Sequence, residues 1–494
     1  MKKLGVNPYL PFWETVPDAE PHVFEGRLYV FGSHDNLKGE AFCTEDYVGW
    51  SAPVDDLNDW RYEGIIYNKM QDPLNGASYE GKLPEIDIPL GTEEAPRYLY
   101  APDVAQGPDG RYYLYYSLDF TNVISVAVCD TPAGHYEFLD FVRTEDGERP
   151  DVGRWFDPAI LCEESGNYLY YGFAPAFKFP GMESVVYPGA QMVRLADDMH
   201  TIISEPVCVA NGIDTAKGTC YEEHPFFEAS SIRKIKDTYY FVYSSLQGNE
   251  LCYGTAKTPE GPFEYQGVII SNGDMGLNGN TLPVNYMGNN HGGLVEIGDK
   301  LYIFGHRHTH GTQFSRQGTA ERVELLENGT IPQVEVTSCG LNDGPLPAKG
   351  EYQSYIACHL TEGDRKKVGN ALMGGPGEPI PEFPEKMPYI TEEKDVNGER
   401  GWKPFIKNMH PGTVAGFKYF AFDGNETELE AELRGRGKIE ILLDNPEGEC
   451  IAEIAADAVE WIKVYGKIKQ TKGTHALYFC VKEGIIDFAK FAVR

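Results

Sequence analysis

Five ionisable residues, Glu20, Asp103, Asp157, Glu228 and His291, each open a short strand-forming stretch that leads into an aromatic run. The runs begin at Arg27, Arg111, Asn167, Thr238 and Lys300, so the five residues precede them by 7, 8, 10, 10 and 9 positions. An isolated acid at such a place is usually a solvated turn residue or a cap. Five in similar register would instead meet on one axis, where carboxylates raise one another's pKa at a cost in stability. One protonated and one ionised carboxyl on opposite sides of a glycosidic bond can hydrolyse it by general acid and base catalysis. The same hard oxygens would also suit calcium.

Further candidates lie in GHRHTHGT after the fifth aromatic run. Arg307 is suited to binding sugar hydroxyls or to neutralising an acidic funnel. His306, His308 and His310 alternate as a metal cluster on one strand face would, although surface exposure is the commoner reason for such spacing.

The elements that must hold these residues are legible as repeats. RLYVFGS, RYYLYYS, NYLYYGF, TYYFVYSS and KLYIFGH are aromatic and β-branched runs entered through Gly and Asp turns, and EPHVF, PDVAQ, DPAIL, EASSI and HGGLV lie just upstream. WSAPVDDLNDWRYEG, ISVAVCDTPAGHYEFL and LCYGTAKTPEGPFEYQG supply a third and fourth strand for the unit. Four strands repeated five times predict a five-bladed β-propeller over 1–360, within an all-β protein. Residues 361–390 are rich in Pro, Gly and Glu and predict a linker or crossing segment. TELEAEL, GKIEILLD and HALYFCV alternate at period two, which predicts a separate β-sandwich, jelly-roll-like, over 391–494.

Composition narrows the partners. With 43 basic against 75 acidic side chains and a formal charge of -32, the surface repels phosphate backbones and anionic lipid, so neither nucleic acid nor membrane is expected. No apolar stretch has the length of a membrane span or a signal core, which predicts a cytoplasmic protein unless a leader has been removed. Ten cysteines without regular spacing suggest reduced thiols. No motif points to an organic cofactor, and oligomeric state is not legible.

The ordered series DAEPHVF, YAPDVAQGPDGRYYLYYS, FDPAI, FFEASSI and NHGGL resembles glycoside hydrolase family 43, five-bladed propeller enzymes acting on arabinose-, xylose- and sometimes galactose-containing glycans. The resemblance runs from about Asn7 to Cys358. It implies that Glu228 is the general acid, that Asp157 tunes and orients it, and that His291 faces a channel metal, often calcium, or else only donates hydrogen bonds. Asp103 fits a sugar contact or, equally, a structural hydrogen bond to a turn. The family's base is an Asp in an A-D-P context, whereas this chain reads Ala19-Glu20-Pro21-His22. Glu20 is the preferred base, with Asp18 or Asp35 as substitutes or weak base catalysis as the third reading. A base there implies inversion.

The tail resembles family 6 carbohydrate-binding modules, with Trp402, Trp461 and Tyr465 as stacking platforms or, more commonly for such residues, core. Together these readings predict an exo-acting hydrolase of short arabinosyl or xylosyl oligosaccharides. The alternatives are a galactan- or galactofuranoside-active hydrolase and a non-catalytic glycan-binding protein.

Overall fold

The computed structural model describes residues 4–86, 88–178, 185–362 and 387–494. Five sheets stand around a channel. Blade 1 comprises Glu20–Phe24, Arg27–Phe31, Tyr47–Pro53 and Arg61–Tyr67. Blade 2 comprises Asp103–Gln106, Tyr112–Ser117, Ile124–Cys129 and Glu137–Phe141. Blade 3 comprises Ala159–Glu163, Gly166–Tyr171, Gly189–Leu195 and Val207–Asn211. Blade 4 comprises Phe226–Ile235, Thr238–Ser245, Glu250–Ala256 and Glu264–Ser271. Among the described residues blade 5 has three strands instead of the expected four, Leu294–Ile297, Lys300–His308 and Arg316–Val323.

Within each blade the strands pair antiparallel in chain order, and the first strands contact their neighbours around the ring. The seam between blades 5 and 1 is closed by a parallel bridge from Ala19 to Gly292. It is closed again by the N-terminal segment, where Tyr9 donates its N–H to Gly318 O and Ala320 donates to the Asn7 side chain. That segment covers the edge left open by the missing fourth strand.

The aromatic runs follow from this layout. A blade is covered on both faces, so its second strand is aromatic or apolar at consecutive positions instead of at alternate ones. Tyr113 and Tyr115 pack toward blade 3, while Tyr112, Leu114 and Tyr116 pack toward blade 1. Tyrosine suits this place because its ring fills the inter-blade core and its hydroxyl reaches a partner, as Tyr115 does at Met199 O (2.5 Å) and Tyr170 at Pro259 O (2.6 Å).

The second body is a mixed β-sheet with a large apolar core and a smaller cluster around Val414, Leu442 and Tyr478. Its longest strand, Gly473–Val493, pairs with Glu428–Leu443 along one edge, and with Val414–Phe422, Trp402–Met409 and Gly350–Gln353 along the other. Phe417, Phe479 and Phe491 interlock at its centre, with ring centroids 5.0–5.4 Å apart.

The expected boundary at residue 360 is corrected here. Leu346–Pro347, Gly350–Gln353 and His359–Thr361 pair with strands of this second sheet, and Leu346, Tyr352, Ile356 and Leu360 lie in its core. The expected linker falls largely on 363–386, outside the described residues.

A chain ending after Thr361 would therefore keep three strands without their partners. It is expected to give no soluble species with a cooperative thermal transition. Size-exclusion chromatography with circular-dichroism melting checks this, and a truncated protein melting as a folded propeller would show that the two bodies are independent.

Candidate active site

A cavity of about 280 Å3 opens where the first strands of the blades begin. Asp18, Asp157, Glu228, His291 and Arg316 line it, with Phe42, Trp155 and Phe314 among its apolar walls. Five non-glycine residues in its wall have left-handed backbone, Asp18 (φ 57°), Cys43 (φ 59°), Phe120 (φ 58°), Asn122 (φ 57°) and Asp157 (φ 46°), as does Ala229 (φ 68°) beside Glu228. Such conformations persist only where the surroundings enforce them, and they are common at functional sites. In blade 4 the register with the second strand shifts on either side of Glu228, so this side chain departs from the regular pleat. The Ala229 N–H then donates to Asp157 Oδ2 at 2.9 Å, which ties the two acids together.

The acids are in unlike environments. Burial alone would raise the Asp18 carboxyl, but Arg316, whose Nη1 donates to Asp18 Oδ1 at 2.9 Å, offsets it together with smaller contributions from His306 and His291, and Asp18 lies below the usual carboxylate range. His306 and His291 also face Asp18, but burial takes their own pKa values down to about 3 and about 4, so near neutral pH both rings are uncharged. Arg316 is then the only one of these groups that carries positive charge. The Asp18 N–H donates to His306 Nδ1, and the other ring nitrogen donates to Asn289 O at 2.7 Å, which fixes the neutral tautomer.

For Glu228, burial and then the charges of Asp157 and Asp18 push the carboxyl well above its ordinary value. Burial and Asp18 likewise raise Asp157. The cavity thus holds one carboxyl pushed down, Asp18, and two pushed up, Asp157 and Glu228, an environment that separates a base from an acid.

The structure corrects three of the expected site residues. Glu20 and Asp103 do not line the cavity; they sit one layer deeper in the channel, fully buried. Glu20 Oε2 accepts from Arg233 (2.6 Å) and Ser231 (3.0 Å). Asp103 accepts from His22 (2.6 Å) and from the Val104 and Ile160 N–H groups (both 2.8 Å), so it makes the structural hydrogen bonds that were its alternative role. Residues two apart on a strand face the same way. Asp18 and Ala101 stand nine and ten positions before their aromatic runs, and with Asp157, Glu228 and His291 they form the layer at the mouth.

Arg307 faces away from the cavity. Its side chain donates to Ala357 O and Tyr355 O, at the junction with the second body. His306, His308 and His310 are buried instead of exposed.

Asp157, Glu228 and His291 do meet at the mouth, with His291 Nδ1 3.7 Å from Asp157 Oδ2. Among the described residues, no group of three acidic, imidazole or thiol donors that includes His291 comes within bonding reach of one ion. That donor set does not form the oxygen-rich cage calcium prefers.

Sequence reasoning missed Arg316. In the structure, His308 pairs with Arg316 across two adjacent strands, which places Arg316 on the histidine face and Arg307 on the other. It also missed the cavity walls, where Phe42 and Phe314 meet edge to face at 4.7 Å and Trp155 stacks on Tyr171 at 3.9 Å. In the second body Trp461 is no open platform. Arg434 and Lys403 lie over its ring and its Nε1 donates to Glu393, whereas Tyr465 points outward.

Residues 82–331 match the family described as Glycosyl hydrolases family 43. A protein named xylosidase/arabinosidase from Thermoclostridium stercorarium is 48% identical over 490 residues, covering 97% of this chain and 96% of that protein. Another of the same name from Bacteroides ovatus is 30% identical over 329 residues, covering 60% of this chain and 87% of that protein. The solved structure of an exo-beta-1,3-galactanase from Phanerochaete chrysosporium aligns over 100% of this chain and 99% of that chain, with a TM-score of 0.50 and 13% identity, a likeness of fold.

The raised Glu228 carboxyl has a consequence for stability. A group whose pKa is higher folded than unfolded stabilises the fold below its unfolded value, about 4.3 for glutamate, and this contribution is lost as pH rises through the folded value. Glu228→Gln removes the titration. Its melting temperature relative to the parent protein is expected to climb as pH rises from about 4.5 to 8.5, read by differential scanning fluorimetry; a flat difference would contradict the assignment of a buried, protonated Glu228.

Proposed function

The chain belongs to glycoside hydrolase family 43, and from that premise we propose that it releases single xylosyl or arabinofuranosyl units from the ends of short oligosaccharides, with inversion at the anomeric carbon. The observation that carries this reading is that Asp18 and Glu228 face one cavity with their carboxyls pushed in opposite directions. The sugar class rests on the name of the relative that matches 97% of the chain at 48% identity. The exo mode rests on a cavity of about 280 Å3 with aromatic walls, which suits one ring and not a chain passing through.

In this mechanism Asp18 is the general base, Glu228 the general acid, and Asp157 the group that orients and tunes the acid. A water held against Asp18 loses a proton to its carboxylate as the water oxygen bonds to the anomeric carbon. The bond from that carbon to the leaving oxygen breaks, and Glu228 gives its proton to that oxygen. Asp18 ends protonated and Glu228 ionised, and exchange with solvent restores both. Arg316 keeps Asp18 ionised between turnovers. The site's own residues account for each proton, so no step is routed through a metal at His291.

Asp18→Asn is expected to lower kcat on aryl β-xyloside or α-arabinofuranoside by on the order of 10² to 10⁴ with little change in KM. Glu228→Gln should lose more activity on xylobiose than on dinitrophenyl xyloside, whose leaving group needs no proton. Proton NMR of the first product should show the anomer opposite to the substrate's. A Glu20→Gln variant that is inactive beside an active Asp18→Asn would return the base role to Glu20, and no turnover of any glycoside by the parent protein would favour a binding protein.

A further inference from the structure

We propose that Glu392, on the second body, is a positioning residue for the sugar cavity, acting by clasping two rim segments that belong to different blades. The inference rests on the reading of this cavity as the sugar site. The segment over 36–45 in blade 1 carries Phe42, and that over 309–315 in blade 5 carries Phe314; both rings line the cavity. These segments lie on either side of the seam where the ring closes, and a hydrogen bond from Thr312 Oγ1 to Gly39 O (3.5 Å) links them. Each holds non-glycine residues in left-handed backbone, Lys38 (φ 60°), Cys43 (φ 59°) and His310 (φ 62°), which must be enforced from outside.

Glu392 supplies that enforcement. It lies on the strand Tyr389–Glu399, which forms a hairpin with Trp402–Met409. One carboxylate oxygen meets Lys38 Nζ at 2.6 Å and the other meets His310 Nε2 at 2.5 Å. On the same strand, Ile390 O accepts the His310 N–H at 2.9 Å. The other nitrogen of the His310 ring bonds to the hydroxyls of Thr309 (2.8 Å) and Ser315 (3.0 Å) within its own segment.

The side chains of His310 and Glu392 are 1% and 7% exposed, so their pairing is shielded from water, whereas Lys38 at 49% adds less. At the hairpin's tip Arg400 lies 3.4 Å over the ring of Trp13, in the segment that leads to Asp18. The hairpin therefore grips the seam at two points. The acids Asp157 and Glu228 sit on blades 3 and 4, away from the clasp, and Asp18, although near the seam, is held separately by Arg316 at 2.9 Å, so loss of the clasp should loosen the aromatic wall that holds the sugar more than the groups that cleave it.

The test compares Glu392→Ala with Glu335→Gln, which disturbs another contact between the bodies, the ion pair from Lys418 to Glu335 (2.8 Å), away from the rim. Two readouts are used: KM and kcat on an aryl xyloside or arabinofuranoside, and the Kd of free xylose or arabinose from tryptophan fluorescence in a Glu228→Gln background. Glu392→Ala is expected to raise KM and Kd about tenfold, the equivalent of about 1.4 kcal/mol, with kcat within about threefold. Glu392→Asp should restore part of the loss, and Glu335→Gln should leave KM and Kd unchanged.

A lower melting temperature for Glu392→Ala with unchanged KM and Kd would overturn the proposal, as would equal effects from Glu335→Gln. If Glu392→Ala does not fold, Lys38→Met and His310→Gln probe the same joint with the same expected rise and the same overturning result. Sugar binding needs no turnover. A parent protein that binds sugar without cleaving it therefore faults the catalytic reading alone, while one that binds no sugar overturns both.

Discussion

The guanidinium of Arg316 is the contact on which the rest of the site depends. It is 2% exposed, projects from the last strand of blade 5, and reaches two acids of blade 1. Its Nε and Nη2 donate to the two oxygens of Asp35 (2.8 and 2.9 Å), while Nη1 donates to Asp18 (2.9 Å). The two acids respond differently. Burial raises Asp35 and the guanidinium pulls it back only in part, whereas Asp18 is held below its ordinary range. One residue thus draws together the two blades at the seam where the ring closes and helps set the charge of the carboxylate at the mouth. Removing one partner from such a buried set costs about 3–5 kcal/mol because an unpaired charge remains, so the three are best regarded as one unit. Lysine is a poor substitute, since a point charge lacks the planar fork that spans both acids.

Beneath the mouth the channel is filled by a second polar layer, and its composition explains why it is not the active one. Glu20 accepts from Ser231 and Arg233, Asp103 accepts from His22, and Arg233 and Asp103 bond further to nearby backbone groups. Burial raises the Glu20 carboxyl to about 8, and its Oε1 has no hydrogen-bond partner among the described residues. Gly293 makes the layer possible, because a Cβ there would lie 2.5 Å from Ser231 Oγ and 2.7 Å from Glu20 Oε2. The layer gives the channel a packed floor. A carboxylate enclosed in this way has no room to hold a water against a sugar, whereas Asp18 borders the cavity.

These layers also explain how much the sequence revealed. The propeller was legible because the chain states it five times, and because a strand covered on both faces must read as an unbroken aromatic run such as YYLYY. The acids of blades 3 and 4 were legible for the same reason. In blade 1 the reading slipped by two residues. Period two puts Asp18 and Glu20 on the same face, and what separates them is depth along the channel, which only a uniform offset from the aromatic run encodes. Arg316 was illegible for a different reason. Its role comes from a cross-strand pairing with His308 and from partners some 280 residues away, neither of which leaves a local pattern. The boundary at 360 failed because GEYQ has the composition of a propeller strand and is recruited by the end of the chain.

That recruitment changes what the second body is. A module joined by a linker leaves the catalytic fold unaltered when it moves, as is normal for domains with small polar interfaces. Here the strands at 346–361 leave the propeller and enter the second sheet, and the Lys418 amine of that sheet bonds to Glu335 back in the propeller's tail. Arg307, on the second strand of blade 5, donates to two carbonyls of the same crossing segment. His310, three residues further along the chain, reaches Glu392. The two sides of one β-strand thus divide the work, with His306 and His308 turned toward the mouth and Arg307 toward the second body. The propeller closes its ring without a fourth strand in blade 5 because the N-terminal segment covers that edge and the second body braces the same blade from the other end.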